Sequence, residues 1–131
     1  MTTLRYESLW KALGYLYLGV LVIMSLVPAP PPVIEFRWMD KVLHVLAYAL
    51  LMLWFAQLYP RSRYGILVVA FIVLGILLEY LQSLTGYRKG DWADVAANSF
   101  GTLLSWGMAL LGMNTLIHRM ETRFLNRKSR A

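Results

Sequence analysis

The chain has no cysteine among its 131 residues, and only 15% of them are charged. The absence of cysteine excludes disulfides, thiolate catalysis and cysteine-ligated zinc or iron–sulfur centres. Soluble domains are about 25% charged, so this chain has too few charged side chains to cover a water-exposed surface. Aromatic residues make up 14%, which argues against disorder because disordered segments are poor in them. What remains is a basic, apolar chain whose length, residues 1–131, suits a single domain.

Four apolar stretches approach the length that a bilayer requires. A helix needs about 20 mostly apolar residues to cross the hydrocarbon core, and the candidates are 9–27, 42–59, 64–84 and 95–117. Stretches rich in Pro or Gly separate them, at 28–32, 60–63 and 85–90. A signal peptide is the alternative for the first stretch, but its apolar run is longer than the usual core of about 7–15 residues. The sequence therefore predicts an all-α membrane protein, a bundle of four transmembrane helices with a basic tail at 118–131.

The basic residues indicate an orientation. If all four stretches cross the membrane, one side receives both tails and the second loop, and the other side receives the first and third loops. The first side carries nine of the 13 Lys and Arg residues: Arg5, Lys11, Arg61, Arg63, Arg119, Arg123, Arg127, Lys128 and Arg130. The second carries four bases and four acids: Arg37, Lys41, Arg88, Lys89, Glu35, Asp40, Asp91 and Asp94. Because basic loops stay inside, we expect both termini in the cytoplasm.

Polar residues within or beside the apolar stretches converge on the predicted outer side. Asp40, His44 and Tyr48 follow one another at four-residue spacing and share a helix face. Ionisable residues are costly inside a membrane segment, so Glu79 in the third stretch needs a partner, a proton or water. We call the following nine residues the polar cluster and predict that they bind a ligand: Asp40, Lys41, His44, Tyr48, Glu79, Gln82, Arg88, Asp94 and Asn98. The competing interpretation is that Asp40 and Asp91 only cap helices.

The fourth stretch carries small residues at every fourth position. Ala97, Gly101, Ser105 and Ala109 form a stripe of the kind that lets membrane helices pack closely. Asp94 and Asn98 lie on nearly the same face, so we expect them to face neighbouring helices. The stripe could also support an oligomer.

Two blocks of the polar cluster resemble the VanZ-like family of bacterial membrane proteins. The first block, from Asp40 to Tyr48, is similar to the family element D-K-x-x-H-x-x-x-Y. The second combines Glu79-x-x-Gln82, Arg88 and Asp94-x-x-x-Asn98-x-x-Gly101, although Gly86-Tyr87 precedes Arg88 where the family often has Pro-Gly. The resemblance covers about residues 10–112. It implies a small multi-spanning protein of the bacterial inner membrane and cell envelope, and the family's namesake is associated with teicoplanin resistance.

Three functions remain open at this stage. The first is binding of an anionic lipid or lipid-linked envelope component, because Lys41, Arg88 and Lys89 suit phosphate groups. The second is an enzyme acting on a lipid headgroup, with His44, Glu79 and Asp94 as candidate catalytic residues. The third is a small transporter or channel component that uses Glu79 as a titrating group.

The sequence favours binding over catalysis. It has no recognisable nucleophile, no phosphate-binding glycine loop and no fixed-spacing metal motif, and we expect neither a metal nor a cofactor. The basic tail needs only an orienting role and contact with anionic lipid, so nucleic acid is not predicted as a partner.

Overall fold

A computed structural model describes residues 3–28 and 38–130. These residues form five helices and no strand: α1 Glu7–Leu26, α2 Met39–Leu58, α3 Tyr64–Leu84, α4 Trp92–Leu110 and α5 Leu116–Lys128. Short 3₁₀ turns at Arg61–Arg63 and Met113–Thr115 precede α3 and α5. The breaker predicted at 28–32 lies beyond the described residues except for Pro28, as do Glu35 and Arg37 of the charge count.

Three helices of the described chain are long and apolar enough to cross a membrane by length and composition. They are Glu7–Leu26, Met39–Leu58 and the segment Arg61–Leu84. A fourth span results if α4 and the segment Met113–Lys128, which are bent by 77° relative to each other, count together. The all-helical prediction is therefore confirmed, together with three to four candidate spans.

The predicted continuous helix over 95–117 is wrong at its carboxyl end. Helix α4 ends at Leu110, and Gly112 adopts a φ of +109°. Glycine tolerates this left-handed region because it has no Cβ, and the turn ends the helix with a hydrogen bond from the Gly112 N–H to Ala109 O at 3.2 Å. Gln57 of α2 fixes the bend, because its amide donates to Met113 O and accepts from the Ile117 N–H, each at 3.0 Å. Hydropathy continues across Gly112, so it could not reveal the break.

The small-residue stripe of α4 packs on α2 within the chain. Ala97, Gly101, Ser105 and Ala109 are all buried. A Cβ at Gly101 would overlap the Val45 carbonyl oxygen and lie 3.1 Å from the Ala49 nitrogen. Within the chain, the stripe therefore serves the close packing of α4 on α2.

Polar and apolar side chains are distributed opposite to those of a water-soluble domain. Glu79, Gln82, Asp94, Asn98, Thr102 and Ser105 are buried between helices. Large apolar side chains such as Leu16, Ile23, Ile66 and Val69 are exposed on the outside of α1 and α3. Exposed apolar surface of this extent requires an apolar surrounding or a partner.

Helix α1 is held at both ends by residues distant in sequence. At its amino end, Glu121 of α5 accepts from the Arg5 N–H at 2.8 Å, the Tyr6 N–H at 3.0 Å and Trp10 Nε1 at 2.7 Å. At its carboxyl end, Arg88 Nη1 donates to Met24 O at 3.0 Å and Ser25 O at 3.1 Å. An anion at the amino end and a cation at the carboxyl end both stabilise the helix dipole.

Candidate functional site

Lys41 connects α2 to the amino end of α4. Its ammonium contacts Asp94 Oδ1, lies 2.9 Å from Asp91 Oδ2 and is 3.5 Å from Asp40 Oδ2. Asp91 is the N-cap of α4 and also accepts from the Ala93 N–H at 2.9 Å. The Lys41 ammonium and the Ala93 N–H together hold the pKa of Asp91 below its usual value. The ammonium of Lys41 is therefore engaged with acids of the chain itself.

Glu79 connects α3 to the same end of α4. Its carboxylate is buried and accepts from the Asp91 N–H at 2.5 Å. The backbone approaches closely here, since a Cβ at Gly90 would lie 2.9 Å from Ser83 Cβ and 3.1 Å from Glu79 O. Glu79 lines a cavity of about 260 Å³ between α3 and α4 with Tyr80, Ser83 and Trp92. The partner that its burial requires is thus the backbone of the α3–α4 loop.

His44 has a defined orientation on α2. Its Nδ1 lies 2.7 Å from the Asp40 carbonyl oxygen, which can only accept, so Nδ1 carries the proton and Nε2 is the basic nitrogen. Nε2 points towards α4 and lies 3.8 Å from Asp94 Oδ2, too far for a hydrogen bond. Among the described residues no hydrogen bond or ion pair joins His44 to Glu79, and the two line different cavities.

Three residues of this end could offer ligands to a cation. One atom from each of Asp40, His44 and Asp94 lies within 4.8 Å of the others. The Lys41 ammonium already contacts Asp94 and neutralises it, and a metal would compete with that ion pair. Asp40 is largely exposed. The arrangement by itself therefore gives no reason to place a metal here.

A pocket of about 360 Å³ between α1 and α2 collects five members of the polar cluster. Its polar end is formed by Asp40, His44, Tyr48, Gln82 and Arg88. Its apolar wall comes from Val20, Leu21, Met24, Leu43 and Ala47. Apolar walls that lead to a few convergent polar groups are typical of ligand sites.

Two groups at the polar end keep hydrogen-bonding capacity. Tyr48 is 3% exposed, yet no described residue bonds its hydroxyl. Arg88 Nη1 donates to the backbone carbonyls of Met24, Ser25 and Val27, and no described residue accepts from Nη2 or Nε. Gln82, by contrast, donates to Ser25 O at 2.6 Å and holds the end of α1.

Asn98 is among the most buried members of the polar cluster. It is 3% exposed, and its Oδ1 is a buried side-chain oxygen without a hydrogen-bond partner among the described residues. Asn98 and Tyr48 approach the same residue of α3, since a Cβ at Gly75 would lie 3.3 Å from Asn98 Nδ2 and 3.5 Å from Tyr48 Cε1. Asn98 therefore lies close to the floor of the pocket but does not line it.

Sequence reasoning underrated three residues that organise these contacts. Asp91 was treated as a loop or capping acid, although it contacts Lys41 through its side chain and Glu79 through its N–H. Glu121 and Gln57 are not among the residues that the sequence analysis singles out. The available signal was in the residue types: Glu121 is the single acid of the tail, and Gln57 is an amide within an apolar helix.

Fold and site together define a class: a small helical protein of membrane type, with its polar side chains gathered at one end. The chain belongs to the VanZ/LLP1 family, whose model matches residues 7–113. Comparisons with curated proteins and with solved structures give no match.

Proposed function

We propose that this protein binds a lipid with a phosphate-bearing head group in the pocket between α1 and α2. The observation that carries the proposal is the Tyr48 hydroxyl, which no described residue bonds and which belongs to a residue lining a pocket with an apolar wall. A phosphate oxygen there would accept from Tyr48 and from the remaining N–H groups of Arg88, since arginine suits phosphate. The acyl or prenyl chain would lie along Val20, Met24 and Leu43.

The charges of the pocket are compatible with an anion. Lys41, the Asp91 N–H and the Ala93 N–H already pair the carboxylates of Asp91, Asp94 and Glu79 on the α4 side. The charged side chains that line the pocket itself are Arg88 and Asp40, and the imidazole of His44 lies beside them. Asp40 is largely exposed, where solvent weakens its repulsion of a phosphate.

The proposed location is the outer leaflet of a bacterial inner membrane, with four spans and both termini in the cytoplasm. The distribution of basic residues supports this orientation. A ligand entering laterally between α1 and α2 would then be a phospholipid or a lipid-linked envelope precursor of that leaflet.

The test compares two tyrosines that undergo the same chemical change. Tyr48→Phe removes the hydroxyl in the pocket, and Tyr80→Phe removes an exposed hydroxyl of α3 outside it. A hydrogen bond to a charged group contributes about 1.5–3 kcal/mol, so we expect Tyr48→Phe to bind phosphatidylglycerol about tenfold or more weakly. Native mass spectrometry of the purified protein, titrated with phosphatidylglycerol, measures this loss.

Tyr80→Phe should bind like the wild type. Equal binding by the two variants would contradict the proposal. Titration with a polyprenyl phosphate in place of phosphatidylglycerol distinguishes a lipid-linked carrier from a phospholipid as the preferred ligand.

A further inference from the structure

Helix α5 begins shortly after α4 ends, and α4 alone is nearly as long as the hydrocarbon core of a bilayer is thick. The 19 residues of Trp92–Leu110 extend about 28 Å at 1.5 Å per residue, close to the hydrocarbon core of about 30 Å. The chain then turns by 77°. A helix that leaves the end of a span at this angle runs nearly parallel to the membrane plane.

Helix α5 has three distinct faces. Ile117 and Glu121, four residues apart, are buried against the rest of the chain. Leu116, Met120 and Phe124 follow each other at four-residue spacing, and they form a second stripe that is exposed. Thr122, on the far side of the helix from Phe124, is exposed as well.

Basic residues border the exposed apolar stripe. Arg123, Arg127 and Arg130 line a groove of about 620 Å³ together with Met120 and Phe124. Arg123 lies one turn after Met120, and Arg127 lies one turn after Phe124, so guanidinium and apolar groups alternate along one surface. Phe124 is 63% exposed and Met120 59%, which is unfavourable in water.

We propose that α5 is an interfacial helix that inserts its Leu116–Met120–Phe124 stripe into an anionic membrane surface. Apolar side chains on one face with arginines beside them are characteristic of helices that lie in the headgroup region. The arginine stems can remain in the apolar layer while their guanidinium groups reach lipid phosphates. Glu121 would then couple the surface helix to the amino end of α1. This inference does not depend on the ligand of the pocket or on which leaflet is involved.

The lack of cysteine makes the test direct, because an introduced cysteine is the only site for a label. Phe124→Cys and Thr122→Cys, each carrying a nitroxide, are reconstituted in vesicles of phosphatidylglycerol and phosphatidylcholine. We expect the label at 124 to have several-fold higher accessibility to oxygen, which concentrates in lipid, than to a water-soluble nickel chelate. The label at 122 should show the reverse. The measurement is the saturation of the electron paramagnetic resonance signal.

The arginines are tested on the Phe124→Cys background. Replacing both Arg123 and Arg127 by Gln should shift the label at 124 towards water in vesicles that contain phosphatidylglycerol. In vesicles of phosphatidylcholine alone, the same replacement should cause no shift. Two labels that are both lipid-exposed would indicate that α5 crosses the bilayer, and a water-exposed label at 124 would indicate a free tail. Dipolar broadening at 124 would mean that a second copy covers the stripe. Each of these three results would overturn the proposal.

Discussion

Lys41 is the residue on which the ion pairs at the amino end of α4 depend. It contacts Asp94, whose side chain is 9% exposed, and Asp91. Removing one partner of a largely buried ion pair leaves an uncompensated charge, which costs more than the pair contributes. The pair also positions α4 against α2, so its loss would affect the pocket indirectly.

We predict that Lys41→Met lowers the free energy of unfolding by about 2 kcal/mol. The control is Lys89→Met, which removes an exposed lysine from the adjacent loop and should change stability by less than about 0.5 kcal/mol. Titration of the purified protein in mixed micelles with dodecyl sulfate measures both. Adding Asp94→Asn to Lys41→Met should recover part of the loss, and failure to do so would mean that Lys41 stabilises the fold in another way.

For single residues, the sequence predicted which side chains share a helix face better than it predicted which distant residues they contact. Asp40, His44 and Tyr48 could be placed on one helix face because four-residue spacing determines it. That Arg88 binds the carboxyl end of α1 could not be predicted, since the contact joins residues 63 or 64 positions apart. Spacing carries no information on which distant helix end will be near.

At the scale of elements, α1 depends on α5. Its first turn has no side-chain cap of its own, and Glu121 supplies the acceptor for three donors there. The sequence placed the first three helices well because long apolar runs with Pro or Gly between them leave few alternatives. The end of the fourth depended on a single glycine conformation and on Gln57, and neither alters a hydropathy average.

We predict that Glu121→Gln destabilises the protein by about 1–2 kcal/mol. Both oxygens of the Glu121 carboxylate accept hydrogen bonds, whereas the amide of Gln would place an NH₂ group opposite an N–H donor. The matched change is Glu7→Gln in the first turn of α1. Glu7 pairs with Lys11 at an exposed site, where such pairs contribute about 0.3–0.5 kcal/mol. Thermal unfolding followed by circular dichroism in detergent compares the two variants. A loss for Glu7→Gln equal to that for Glu121→Gln would show that the helix dipole, and not the three hydrogen bonds, determines the effect.

Two features of the whole molecule bear on its arrangement in a membrane: the location of exposed apolar side chains and the location of exposed basic residues. Apolar side chains are exposed around α1 and α3, while the polar cluster lies at one end. The exposed bases Arg61 and Arg63 lie in the turn between α2 and α3, at the other end of α3 from Glu79. Because basic residues are retained in the cytoplasm, the orientation and the number of spans can be tested together.

We predict that Ser62→Cys and Ser129→Cys lie on the cytoplasmic side and that Lys89→Cys lies outside. All three sites are exposed, and the chain contains no other cysteine to react. A membrane-impermeant maleimide should label Lys89→Cys in intact cells, and it should label the other two only after permeabilisation. The unmodified protein, which cannot react, serves as the control. Labelling of Ser129→Cys in intact cells together with protection of Ser62→Cys would mean that α4 does not cross the membrane. Labelling of both Ser62→Cys and Ser129→Cys in intact cells, with protection of Lys89→Cys, would reverse the orientation and place the pocket in the inner leaflet.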